Sequence, residues 1–354
     1  MDRCERLAAW LEEGCAALIT SPANMRYLCG FSCEGGVALI TSGGSYLIVE
    51  SRYYAQARAK AVGCEVVLSR DSCSQISDIL INSGEHRVLT EAAFMPISVF
   101  EAYKASLVYS SVEASKELSD ALAAMRMIKS AEEIKLISEA QRIAEQAYER
   151  LLNTIRRSMT ERQAAALLDY YIMECGADGI AFPTIAATGA NGAFPHAVPT
   201  DNRLCEGSFL VLDFGAELCG YRSDMARTLA VGKISPKQEE VYNAVSCAQR
   251  DALEALRAGI NGKVVDSVAR STLAAWGFDR YFTHGLGHGI GIEPHEPPQI
   301  SRSSGDMLRE GMVVAIETGV YIPDSLGVRI EDMAVVTKDG CISLTSTTKS
   351  LIRI

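Results

Sequence analysis

No stretch of the 354-residue chain reaches the ~18 consecutive apolar residues that a membrane helix needs, so no bilayer span is expected. The opening segment, MDRCERLAAWLEEG, mixes charges of both signs. It has no unbroken apolar run behind a basic start, which reads against a secretion signal. A basic excess is missing too: the formal net charge is −10 and the pI about 5.2. Phosphate backbones are bound by clustered Lys and Arg, so nucleic acid is not an expected partner. The eleven cysteines are an odd number and include no Cys-x-x-Cys pair. Cys29 and Cys33 come closest in spacing and read as buried or half-buried thiols. So many unpaired thiols fit a reducing compartment, and a cytoplasmic protein is expected. Repeats and low-complexity tracts are absent. With 48% hydrophobic and 22% charged residues, the chain has the composition of a soluble globular protein rather than a disordered or fibrous one.

Several catalytic signatures are missing as well. There is no H-E-x-x-H zinc helix and no G-x-S-x-G nucleophile elbow. HGLGHGIG is glycine-rich but does not match G-x-G-x-x-G, so a dinucleotide site is not expected. No cysteine carries the local signature of a thiol protease.

What is present falls into two parts, since this length is comfortable for two cores. The first third alternates apolar strands with helical stretches. GGVALI and SYLIV read as strands joined by the turn TSGG. Arg52 to Ala61 reads as a helix, and CEVVLS and HRVLT as further strands. A smaller α/β domain is therefore expected over residues 1–125. The boundary lies near residues 120 to 130, just before Ser130. There, Ser130 and Glu133 form a capping box ahead of the periodic run IKLISEAQRIAEQAYERLL. Thr160 and Gln163 repeat the device before AAALLDYYIMEC, a helix that Gly176 ends. Ser235, Pro236 and Gln238 start a third helix, with proline at its first position. Strands then return in two hairpins. SFLVLDFG pairs with YRSDMARTLAVG across the turn AELCG, and MVVAIETGVYI pairs with RIEDMAVVT. Residues 126–354 thus read as a helix-plus-antiparallel-sheet α+β domain.

The chemistry concentrates in this second part. His86 lies in the first domain, but His196, His284, His288 and His295 crowd into one region, three of them in HGLGHGIGIEPH. Acids are depleted in strands, yet Asp213, Asp224, Glu317 and Glu331 all read as strand residues. Any one of them is as well explained by a solvated sheet face. Four together, on the strands of two hairpins, are not. Antiparallel pairing puts Asp213 beside Asp224 and Glu317 beside Glu331. Buried carboxylates must be paired or must hold a metal. Four converging on one face need cations, and two divalent ions bridged by carboxylates balance the charge, with His288 as a nitrogen ligand.

These segments resemble the pita-bread metallopeptidases: methionine aminopeptidase, aminopeptidase P, prolidase and the metal-free cousin creatinase. The motifs are NGAFPHA, LDFGAELCGYRSDMARTLAVG, HGLGHGIGIEPHEPP, AIETGVY and GVRIEDMAVVT, in the family's order and spacing. The likeness runs from about Met127 to the C-terminus and implies a pita-bread catalytic domain over residues 126–354. ANMRYLCGF and ESRYYAQA resemble the extra N-terminal domain of aminopeptidase P, prolidase and creatinase, which methionine aminopeptidase lacks. Creatinase lacks the metal ligands, and this chain keeps all five. One departure is Thr318, where the family usually has proline; the expectation is an altered turn before Tyr321.

The resemblance implies a dinuclear-metal Xaa-Pro peptidase that cleaves the bond before proline at a peptide N-terminus, through a hydroxide held between the ions. Asp213 would bind one ion, Asp224 and Glu331 bridge both, and His288 and Glu317 complete the other. Oxygen ligands with one imidazole favour Mn2+, with Co2+ or Zn2+ as alternatives. Glu317 would relay the proton, His295 stabilise the tetrahedral intermediate, and His196 bind substrate or assist proton transfer; a core histidine is the plain alternative for His196. His284 and Arg329 would face the proline pocket. Arg329 either grips the substrate carboxylate or forms a structural salt bridge. Tyr321 and Phe182 either line that pocket or are core aromatics. The motifs do not separate a prolidase, acting on dipeptides, from an aminopeptidase P, acting on longer peptides. That choice is expected to depend on whether the N-terminal domain blocks the far end of the cleft. Two other functions compete: a non-catalytic binding module on this fold, and a creatinase-like C–N hydrolase of a small non-peptide substrate. A homodimer is implied by the resemblance.

Overall fold

The computed structural model describes residues 2–354. The chain divides into two compact units, Met1–Arg126 and Met127–Ile354. Among the described residues no helix is long and apolar enough to cross a membrane.

The first unit carries a six-stranded mixed sheet. Its strands are β1 (Cys15–Ile19), β2 (Val37–Thr41), β3 (Gly44–Val49), β4 (Glu65–Leu68), β5 (Arg87–Glu91) and β6 (Ser111–Ser115), in the order β4-β3-β2-β1-β5-β6. β1 and β2 are buried along their whole length, as continuous apolar runs such as CAALI and VALIT require. The helices are α1 (Arg3–Ala8), α2 (Pro22–Cys29), α3 (Ser51–Lys60), α4 (Ser72–Ser83), α5 (Ile97–Ser106) and α6 (Lys116–Met127). This is the expected α/β arrangement.

In the second unit the helices start where the caps predict. α7 (Ala131–Thr154), α8 (Glu161–Glu174) and α9 (Pro236–Ala255) each open with a complete capping box, on Ser130, Thr160 and Ser235. α10 is Gly262–Ala275. The strands are β7 (Gly179–Ile180), β8 (Ile185–Thr188), β9 (Ser208–Phe214), β10 (Ala216–Leu218), β11 (Tyr221–Arg222), β12 (Met225–Val231), β13 (Gly287–Gly289), β14 (Glu296–Ile300), β15 (Val313–Ile322), β16 (Leu326–Val336) and β17 (Cys341–Ser343). The large antiparallel sheet runs β14-β13-β15-β16-β12-β9-β8, with β17 also on β16.

Two apolar clusters cover one face of this sheet. Leu210, Leu212 and Phe214 of β9, with Leu229 and Val231 of β12, pack with Ala144, Tyr148 and Leu168 from α7 and α8. Val314, Ile316, Val328 and Ile330 pack with Val245, Ala248 and Leu273 from α9 and α10. Each buried Val, Leu, Ile or Phe side chain among them contributes about 1.5–3 kcal/mol. Because side chains alternate along a strand, the intervening residues face the other way. That second face carries the acids.

Three local expectations need correction. AELCG is not merely a turn. Ala216–Leu218 forms β10, the middle strand of a separate small sheet with β7 and β11. Asp224 is not a strand residue: it lies between β11 and β12, and Ala226 stands opposite Asp213. Thr318 shapes no turn either. It sits in mid-strand opposite Ile330, and Tyr321 follows on the same strand.

Candidate active site

The sheet register assembles the acids. Asp213 on β9 pairs with Ala226 on β12, Ala226 with Glu331 on β16, and Glu331 with Glu317 on β15. Directly opposed residues share a face, so one row across four strands presents Asp213, Glu331 and Glu317 on the same side. Ala226 keeps the row open in the middle. Asp224, two residues before Ala226, joins the row from its edge. His288 on β13 pairs with Ala315, two residues before Glu317, and so faces the same way. A register shift between His288 and Gly289 marks a bulge at this point.

Two glycines make the geometry possible. A Cβ at Gly215 would lie 1.9 Å from the Ser223 carbonyl oxygen. Only glycine there lets the two segments bearing Asp213 and Asp224 approach this closely. Gly319 stands opposite Arg329, and a Cβ on it would meet the Tyr321 hydroxyl at 2.4 Å.

Asp213, Asp224, His288 and Glu331 are buried, while the Glu317 side chain keeps 18% of its surface exposed. His288 Nε2 lies 3.8 Å from both Asp224 Oδ2 and Glu317 Oε1. Ligand atoms of Asp224, His288 and Glu331 all fall within 4.8 Å of one another. His288 Nδ1 is 3.1 Å from the Gly289 carbonyl, a partner that can only accept. Nδ1 therefore carries the proton, and Nε2 offers its lone pair to the acids.

The electrostatics of this cluster are those of a cation site. Burial raises the pKa of Asp224 well above the usual carboxylate range, and the charges of Asp213 and Glu317 add to the effect. Glu331 is raised for the same reason, by burial and then by Asp224, Asp213 and Glu317. Glu317 is pushed up to about 7, chiefly by burial. Burial also holds His288 down to about 3, with neighbouring His295 adding to it, so the imidazole is neutral. Among the described residues, Asp213 Oδ1, Asp224 Oδ1 and Glu331 Oε1 are buried without a hydrogen-bond partner. Oxygens in that state carry a large desolvation cost unless a cation meets them. Orphaned carboxylate oxygens around a correctly protonated imidazole therefore fit divalent metal.

The other candidate residues surround this cluster. Arg329 is 2% exposed and spends three of its five donors inside the protein. One Nη donates to Asp213 Oδ2, the other to the Pro195 carbonyl at 2.7 Å, and Nε to the Tyr321 hydroxyl at 2.7 Å. Burial opposes its charge, but Tyr321, Asp213, Glu317 and Glu331 outweigh that and raise its pKa. His284 Nδ1 donates to the Gly285 carbonyl at 2.7 Å, leaving Nε2 to accept from Tyr321 at 3.0 Å. Burial, then Arg329, hold His284 down to about 3. His295 keeps an exposed edge, with its ring centroid 4.1 Å from that of His288, and desolvation by its neighbours lowers its pKa. A buried Lys129–Glu296 pair at 2.8 Å anchors the residue after His295. His196 is exposed on the loop between β8 and β9, close enough for its charge to act on His284 and His295. Phe182 is half-buried, two residues beyond β7. Reading the sequence alone misses Ala226, Gly215 and Gly319, whose value is the space they leave. It also misses Glu161, which looks like an ordinary first-turn acid.

The fold and the acid cluster define a metallopeptidase, and comparison with known proteins agrees. Metallopeptidase family M24 matches residues 135–338, and the creatinase/prolidase N-terminal domain matches residues 3–128. The chain belongs to metallopeptidase family M24, with the N-terminal domain of the creatinase/prolidase type, and divalent metal ions are the cofactor of that class. It is 38% identical to an Xaa-Pro dipeptidase from Pyrococcus horikoshii, over 95% of this chain and 94% of that protein. Among solved structures it is similar to an Xaa-Pro dipeptidase from Bacillus anthracis, with TM-score 0.94, 34% identity and 99% of each chain covered. An X-Pro aminopeptidase from Thermotoga maritima matches with TM-score 0.92, 33% identity and all of both chains covered. The expected two-domain architecture and family stand.

Proposed function

We propose that this protein is an Xaa-Pro dipeptidase, hydrolysing the bond between an N-terminal residue and a following proline with two divalent ions, manganese first among them. The observation that carries the reading is the row of buried, orphaned carboxylate oxygens facing a neutral imidazole. Asp213, Asp224, His288, Glu317 and Glu331 would hold the ions. Once bound, the ions supply Lewis-acid polarisation of the scissile carbonyl and a water acidified to a pKa of about 7.

The chain's own residues do the rest. Glu317, the most exposed acid of the cluster, takes the proton of the attacking water. It returns that proton to the leaving nitrogen, which in an Xaa-Pro bond has none of its own. His295 donates to the developing oxyanion, a role supported by its ring lying 4.1 Å from that of His288. His196, exposed on the 189–200 loop, binds the substrate or assists the proton transfer. His284 has both ring nitrogens engaged and so contributes a wall and holds Tyr321, rather than offering a free donor. Arg329 retains one N–H on each Nη beyond the bonds described above, enough to meet a proline carboxylate. Phe182 is proposed to pack on the proline ring. Eleven free cysteines support a cytoplasmic setting. The homodimer remains part of this reading, on the family resemblance alone.

The dipeptidase reading leads because the matched Pyrococcus and Bacillus proteins bear that name. The Thermotoga match supports an aminopeptidase as the second reading. Metal-stripped protein restored with manganese should be offered Ala-Pro and Ala-Pro-Ala, with Glu317→Ala protein as the control for contaminants. Cleavage of Ala-Pro alone supports the dipeptidase. Cleavage of the tripeptide replaces it with the aminopeptidase. No cleavage of either sinks the reading and returns the non-catalytic module. Activity surviving complete chelation would point instead to a metal-free C–N hydrolase.

A further inference from the structure

An acid in the first turn of a helix usually sits at the surface, where it favours the positive end of the helix dipole. Glu161, the first residue of α8, is instead fully buried. Among the described residues, four donors meet it in hydrogen bonds and none of them is a cation. Oε1 accepts from the Thr188 N–H at 2.6 Å. Oε2 accepts from Asn191 Nδ2 at 2.8 Å, the Thr200 N–H at 2.8 Å and the Thr200 hydroxyl at 2.6 Å. Thr188 ends β8 and Asn191 follows it, whereas Thr200 lies at the far end of the same excursion. One carboxylate thus ties together both ends of the loop 189–200, and His196 is on that loop. Two backbone bonds from α8, Glu161 N–H to Asn202 O and Arg162 N–H to Thr200 O, dock the far end on the helix. Asn191 Nδ2 also reaches the Val198 carbonyl at 3.2 Å. On the site side, the loop is held by Arg329 through the Pro195 carbonyl.

We propose that Glu161 is a positioning residue for catalysis: it closes the base of this loop and so sets where His196 stands over the metal cluster. The proposal rests on the reading above that His196 works in Xaa-Pro hydrolysis. The physical reason is the donor count. A carboxylate accepts all four bonds, while any residue offering its own N–H must meet donor with donor. His196 is exposed, with little packing of its own to fix it, so the loop base supplies its precision. A misplacement of about 1 Å at a reacting group costs on the order of a hundredfold in rate.

The test uses the full-length, manganese-loaded enzyme and Ala-Pro. Glu161→Gln keeps the volume and one acceptor but turns an amide NH2 toward Asn191 and Thr200. It should lower kcat/KM by about tenfold to a hundredfold, up to the loss expected of a reacting group misplaced by about 1 Å. His196→Ala should show a loss at least as large. The decisive comparison is the double variant: if Glu161 acts through His196, adding Glu161→Gln to His196→Ala should cost less than about twofold more. Hydrogen exchange of residues 189–200 in the metal-free Gln variant should rise while the rest of the chain stays protected. Should Glu161→Gln fail to fold, Thr200→Val removes one of the four bonds and should give a smaller loss of the same kind, again absent in the His196→Ala background. Equal fractional losses in both backgrounds, or full activity in Glu161→Gln beside an impaired His196→Ala, overturn the proposal alone. Full activity of His196→Ala overturns the role of His196 and this proposal with it.

Discussion

Glu91 in the first unit and Glu331 in the second are both buried strand acids, each 1% exposed, yet their surroundings are opposite. Glu91 accepts from the Thr20 N–H at 2.7 Å, the Ser21 N–H at 2.9 Å, the Ser21 hydroxyl, and Asn24 Nδ2 at 2.7 Å. Its charge is met by donors from one turn of local chain. Glu331 faces three other acids and leaves Oε1 without a partner. Burial of an acid therefore does not mark a site by itself. What marks it is whether the protein supplies the donors, as it does for a structural clamp, or withholds them, as it does where a cation belongs.

The largest expected effects lie where that contrast is broken. Glu331→Gln should abolish manganese-dependent hydrolysis, by about a thousandfold or more if metal is lost from the site. The same change should leave the metal-free protein as stable or more stable, since it removes one of several repelling buried acids. Glu91→Ala should do the reverse. Its stranded donors should cost about 3 kcal/mol in denaturant unfolding of the first unit, with the acid cluster of the second unit chemically intact. Equal destabilisation by both changes would contradict the distinction.

A second effect follows from mass action. Manganese at a hundred times its dissociation constant should stabilise the stripped protein by about 2.7 kcal/mol, and Glu331→Gln should remove most of that gain. Thermal melts with and without metal measure it.

Proton coupling should be smaller. In the metal-free protein Glu317 titrates near 7, raised from its ordinary value, and Asp224 and Glu331 are raised as well. A raised acid contributes stability at low pH that is lost as pH climbs through its folded pKa. From pH 8 down to about 6.5, the stripped protein should therefore gain stability as these groups take up protons. Below about 6.5 the neutral His284 and His288 oppose this, because the unfolded chain protonates histidines that the folded one keeps uncharged. Metal binding must displace the carboxylate protons, so affinity should fall from pH 8 to pH 6. Calorimetry in two buffers of different ionisation enthalpy would detect the released protons.

The smallest effect concerns Thr318, whose hydroxyl is fully buried without a partner on the face away from the acids. Thr318→Val should be neutral or stabilising by about 1 kcal/mol and leave kcat unchanged. A loss of activity would mean that this hydroxyl matters to the neighbouring Glu317.

Much of the architecture was legible in the sequence because its causes are local. A Ser or Thr followed three residues later by Glu or Gln caps a helix whatever lies beyond it, and the boxes at Ser130, Thr160 and Ser235 all form. Alternation along a strand is a property of the backbone, so Glu317 and Glu331 in two facing apolar runs had to meet across a hairpin, and they do. Asp224 was misread because Tyr221 to Val231 looks like one strand, while Ser223 and Asp224 break it to pass Gly215.

Other features exist only once distant segments are folded together. Arg329 reaches Asp213 and Pro195 more than a hundred positions away, and Glu161 gathers Thr188, Asn191 and Thr200. Nothing in the residues around Arg329 or Glu161 distinguishes a buried clamp from a solvated charge. The sequence by itself determined the caps, the strand faces and the residue types of the acid cluster, because propensity and periodicity act over a few residues. Tertiary structure alone decided which acids are satisfied and which are left for a cation, because the donors that settle the matter come from other parts of the chain.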